Sequence, residues 1–207
     1  MPCNKSFESF SQDELNQIEE IMLPGELSET GFIQKGDSLL KIYQDDKNYL
    51  DQVGITYDQI ADILEHHCII ASRFESVQYD NYKISKTTWR GAQTCPFQDP
   101  SDENYYGYQY GDTDVTILNL TTNKSITFNT LLPHMIKYHH FFESPNVSHR
   151  VDPKDVIDFF DLKPGVDYNN LVFDEEKYRE HNSCDRISND EIRLMNLLSG
   201  LAILRYE

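Results

Sequence analysis

The chain has 207 residues, enough for one domain with a real core and at most a small second one. Its 35 acidic residues against 18 Lys and Arg give a formal net charge of −17. Such a surface repels phosphate backbones and anionic lipid, so nucleic-acid and membrane partners are not expected.

With 39% apolar residues and strongly periodic segments, the composition is that of a folded chain. No segment reaches the roughly 18 consecutive apolar residues of a membrane span. The first ten residues carry no apolar run long enough for a signal peptide. Cys3, Cys68, Cys95 and Cys184 lie far apart with no Cys-x-x-Cys pair, a pattern of thiols and not of disulfide staples. A cytoplasmic protein is expected.

The first third (11–72) reads as helical. Ser11 with Glu14 forms a capping box ahead of the stripe Leu15, Ile18, Ile21 and Met22, which Pro24-Gly25 ends. A second helix is expected from about Ser38 to Gln52, with Gly54 as its C-terminal cap. Thr56 with Gln59 repeats the capping box, and Ile60, Ile63, Leu64, His67, Cys68 and Ala71 follow at helical spacing. His67 reads as a core histidine on that stripe.

From Phe74 the period becomes strand-like. Phe74–Tyr79 and Tyr82–Trp89 are rich in aromatic and β-branched residues, and a turn-forming loop covers 99–104. Val115–Leu120 and Ser125–Phe128, joined by four polar residues, form the clearest hairpin. Asp112-Thr113-Asp114 lacks the calcium-loop pattern and reads as a solvated turn.

The region 130–205 returns to helices. Thr130 and Pro133 start one running from about Leu131 to Glu143, Asp152-Pro153 opens a second, and Ser188 with Glu191 caps a last one. Helices, then antiparallel strands, then helices predict a single α+β domain over residues 1–207. Its antiparallel sheet spans about 74–128 and is covered by N-terminal and C-terminal helices. The expected core includes Ile60, Ile63, Leu64, Cys68, Ile117, Ile126, Ile136, Val156, Phe160, Leu198 and Leu201.

Chemistry is expected where ligand-type residues concentrate. His134, His139, His140 and His149 fall within sixteen residues, with Glu143 and Asp152 among them. On a regular helix His134 and His139 point roughly 140° apart, which argues against a shared ion. Glu143, four residues after His139 and three after His140, is their helical neighbour. The expected metal set is therefore His139 or His140, Glu143 and His149, holding zinc or another divalent transition metal. Asp152 would orient a ligand from outside, and Arg150 would position an anionic part of a small-molecule substrate.

Cys95 is a candidate nucleophile, with His134 or His139 as its base, or alternatively a further metal ligand. Trp89, Tyr106 and Tyr108 are candidates to wall the substrate pocket. These features predict a small metal-dependent, hydrolase-like enzyme. The competing class is a non-enzymatic acidic domain that docks on a basic protein partner.

Overall fold

The computed structural model describes residues 6–97, 110–176 and 178. After a 3-10 turn at Phe7–Ser9 come three helices: α1 (Gln12–Met22), α2 (Leu39–Val53) and α3 (Tyr57–Arg73). The strands β1 (Ser76–Tyr79), β2 (Tyr82–Thr94), β3 (Tyr110–Asn119) and β4 (Ser125–Asn129) follow, then α4 (Leu132–His139) and α5 (Pro153–Phe160). The caps expected at Ser11, Thr56 and Gly54 form, whereas α4 begins after Leu131 and receives no side-chain cap from Thr130. The Ser11 and Thr56 hydroxyls accept from the Glu14 and Gln59 amides, and those two side chains return the bond to the cap N–H. Gly54 ends α2 in the left-handed region at φ 70°, which only glycine enters without strain.

The strands form one antiparallel meander in the order β1-β2-β3-β4. Its register aligns Val77, Ile84, Ile117 and Ile126 in one row across all four strands, so β-branched side chains pack cross-strand. α3 is the central element: it packs on β2 and β3 and also against α4 and α5. The fold class is therefore α+β, with helices from both sides of the sheet in the sequence assembled on it. Among the described residues no helix is long and apolar enough to cross a membrane. Contacts divide the chain at Leu171, and every element above belongs to the first unit, Met1–Leu171.

Ile60, Ile63, Leu64, Ile117, Ile136 and Val156 are buried, whereas Cys68, Ile126 and Phe160 are only half-buried. Leu198 and Leu201, with the whole expected last helix, lie outside the described residues. The core instead takes in Phe32 and Ile33 from the α1–α2 connection and Phe141 and Phe142 from the segment after α4. The Ser144 amide donates to the Phe32 carbonyl at 3.0 Å and stitches those two segments together.

Two boundaries differ from expectation, and both shape the site. β2 runs past Trp89 to Thr94 across an irregularity between Thr88 and Gln93, with Gly91 at φ 133° inside it. Asp112-Thr113-Asp114 is consequently strand and not turn, with Asp114 opposite Thr87. The histidine helix stops at His139, and His140 adopts the left-handed conformation at φ 57°. Phe141, Phe142, Glu143 and Ser144 are all buried in succession, which a helix resting one face on a core does not provide.

Gly111 is required by close approach. A Cβ there would sit 1.8 Å from Asn129 Oδ1 and 2.7 Å from the Leu131 amide nitrogen. Gly111→Ala is expected to destabilise the protein by about 1–3 kcal/mol through overpacking. Thermal denaturation checks this, and an unchanged melting temperature would contradict it.

Candidate metal centre and acidic cleft

Where β2 runs out, the chain turns inward at Cys95, which is 3% exposed. α4 brings His134 from its first turn and His139 from its last residue to the same place. One ligand atom from each of Cys95, His134 and His139 lies within 4.8 Å of the others. A tetrahedral zinc ion with bonds of about 2.0–2.3 Å needs ligand atoms about 3.3–3.6 Å apart, so small side-chain adjustments would close the group. The three side chains could hold a metal ion, and among the described residues no other such group occurs.

The expectation that His134 and His139 cannot meet is overturned. Their ring centroids lie 5.1 Å apart at a steep 74°. An angle around the helix axis places Cα–Cβ vectors, but an imidazole extends well beyond Cβ and swings about two torsions. His139 also occupies the last position of α4, where the following turn of helix does not confine it. Its ring is stacked at 4.5 Å on Phe97, two residues past Cys95.

His134 Nε2 is buried and has no hydrogen-bond partner among the described residues. Desolvation lowers its pKa to about 4, so the ring is neutral at pH 7 and presents a lone pair without first losing a proton. His134 also lines a cavity of about 420 Å³ with Cys68, Lys137 and Tyr138.

The expected set of His139, His140, Glu143 and His149 does not come together. Glu143 is off the helix at φ 69°, so its neighbour relation to His139 and His140 is lost. His140 turns the other way, stacking on Tyr57 at 4.2 Å with Nδ1 3.4 Å from Glu8 Oε1. Glu143 and His149 instead line a cleft of about 490 Å³ together with Trp89.

Arg150 and Asp152 have structural partners. The Arg150 guanidinium forms a two-pronged pair with Asp46 and also donates to the Glu143 carbonyl. Both members of the ion pair are under a tenth exposed, so Arg150 is not poised for a substrate anion. Asp152 caps α5 by accepting from the Lys154 amide at 2.9 Å. Tyr106 and Tyr108 lie outside the described residues. His67 is the core histidine expected: Nδ1 lies 2.8 Å from the Ile63 carbonyl, and desolvation lowers its pKa to about 4.

The cleft has its own electrostatics. Burial raises the Glu143 carboxyl to about 8; Arg150 opposes the rise and Asp114 adds to it. Asp114 accepts from Trp89 Nε1 at 2.8 Å and from Asn129 Nδ2 at 3.0 Å, which fixes the indole on the cleft wall. Thus Glu143 and Trp89, two residues singled out from the sequence, belong to one cavity, while Cys95 and His139 belong to another place. Sequence reasoning treated His134 as a possible base for Cys95 and set it apart from a shared ion, whereas the fold places it with Cys95 and His139.

Comparison with protein-family models, curated protein sequences and solved structures returned no match.

Proposed function

We propose that this chain is a small cytoplasmic metal-dependent enzyme of hydrolytic type whose ion, zinc in the first instance, is held by Cys95, His134 and His139. The observation that supports the reading is the convergence of one thiol and two imidazoles within 4.8 Å, one from the end of β2 and two from α4. Three protein ligands leave a fourth position for water or substrate, the arrangement of catalytic zinc sites. The ion would polarise a substrate oxygen and lower the pKa of its bound water to about 7. His134 is the ligand that also borders a cavity, which gives a small substrate a route to that side. Lys137 on the same wall is engaged with Asp62 at 2.8 Å and Glu65 at 3.4 Å, so it stays charged and fixed. Cys95 acts as a ligand in this reading, since a thiol 3% exposed is ill placed to attack a substrate.

Elemental analysis of untagged protein is expected to give close to one zinc per chain. Cys95→Ser and His134→Ala are each expected to weaken binding more than about 100-fold, beyond the loss caused by outer-shell changes. His140→Ala and His149→Ala are expected to retain the metal. Cobalt substitution should produce a thiolate-to-metal charge-transfer band that Cys95→Ser abolishes. A protein that takes up neither zinc nor cobalt would sink the reading.

A further inference from the structure

The cleft walled by Trp89 and Glu143 contains none of the three metal ligands, so what it does is a separate question. Its volume of about 490 Å³ falls in the range of about 300–1,000 Å³ that small-molecule sites occupy. Besides Glu143, three acidic residues, Glu29, Asp112 and Asp114, line it together with Arg90 and His149. Trp89 presents an indole 59% exposed, held in orientation by Asp114. Large exposed aromatics fixed by a hydrogen bond are costly to order unless their face is used.

Acidic residues around a groove would be ordinary in so acidic a chain. Glu143 is the independent sign of a ligand. It is 7% exposed and lines the cleft. Among the described residues its carboxyl takes part in no hydrogen bond or ion pair; the bond from Arg150 goes to its backbone carbonyl. Its backbone sits in the left-handed region at φ 69°, uncommon for a side chain of this size. The side chain is thus nine-tenths buried while its carboxyl opens on the cleft, where a bound molecule can supply the partner that the protein does not.

We infer that this cleft binds an alkylammonium group, with Glu143 and the Asp112/Asp114 carboxylates as its counter-charges and the Trp89 indole as its apolar and cation–π wall. A cation fits the cleft better than a neutral polyol. A positive charge complements the acidic side chains around the cleft and favours ionisation of Glu143, which a polyol does not, and an indole face attracts ammonium by about 0.5–2 kcal/mol. The net charge of −17 further raises the local concentration of cations. The groups that set the charge of Glu143 are Arg150 and Asp114, with Glu29, Arg90, Asp112 and His149 around the same cavity.

The chain has one tryptophan, and it stands on the cleft wall, so fluorescence excited at the red edge, where tyrosine does not absorb, reports on this site. n-Butylammonium chloride is expected to give a saturable change that n-butanol does not reproduce. Because the cation favours ionised Glu143, affinity should rise about tenfold from about pH 6 to pH 9, where the amine remains charged. Glu143→Gln, which matches the shape of the protonated acid and preserves the fold, should remove that pH dependence. Asp112→Asn should weaken binding at every pH. An Nα-acetyl-lysine amide peptide that binds tenfold more tightly than butylammonium would assign the ligand to a protein side chain; equal or weaker binding assigns it to a free amine. A response shared by butanol, or one that Glu143→Gln leaves unaltered across pH, would overturn the inference. Neither metal uptake nor its failure bears on this titration.

Discussion

Glu143→Gln is expected to stabilise the protein above pH 6.5 and to remove the fall in stability as pH rises further. In the folded chain burial raises this carboxyl to about 8, while its ordinary value is 4.5. Between those limits the folded state holds a proton that the unfolded state has released, so stability falls with rising pH and levels off above about pH 8. At 1.36 kcal/mol per pH unit the whole window is worth up to about 5 kcal/mol.

The buried histidines pull in the opposite direction below it. His67 and His134 have folded pKa values lowered to about 4 by desolvation, so their contribution is present above 6.5 and is lost as pH falls. The interval from 6.5 to 8 therefore isolates Glu143, with an expected loss of about 2 kcal/mol. Urea denaturation of wild type and variant at about pH 6.5 and pH 8 measures it. A wild-type midpoint that does not fall across this interval would refute a protonated Glu143.

Arg150→Met is expected to cost about 3–5 kcal/mol, because it leaves the Asp46 carboxylate buried without its partner. The two side chains are 7% and 8% exposed, and the pair ties α2 to the segment between α4 and α5. Burial already pushes the Asp46 carboxyl up, against the pull of Arg150. Arg150 also holds the Glu143 carbonyl, so the variant releases the left-handed turn that aims Glu143 into the cleft. The double change Asp46→Leu with Arg150→Met is expected to recover most of the loss, since two apolar groups of similar volume need no charge compensation. Chemical denaturation of the two single variants and the double variant completes the cycle. Additive losses would show that the two residues act independently.

Much of the fold was legible because its signals are local. Ser11, Thr56 and Gly54 mark helix ends through bonds within a few residues, and those bonds form as their spacing implies. The change from helical to alternating periodicity at Phe74 located the sheet, whose first strand begins at Ser76. The hairpin of β3 and β4 followed from two β-rich runs around a polar turn. The extension of β2 to Thr94 was not legible, since Trp89-Arg90-Gly91-Ala92 carries no strand pattern and is held by its neighbour across an irregular register.

The site was legible in its ingredients and not in its grouping. The sequence by itself determined an acidic chain with an α+β order of elements, a histidine-rich segment and a cysteine ahead of a turn-forming loop. Which of those residues meet was decided by tertiary structure. The demand to bury Phe141 and Phe142 ended α4 at His139, and that one boundary separated Glu143 from the imidazoles and delivered it to the Trp89 cleft. The length of β2, set by pairing with β3, carried Cys95 to α4, where His134 and His139 converge on it. Helix spacing describes neighbours along one element, whereas a ligand set is built by the packing of several, and packing answers to buried apolar volume.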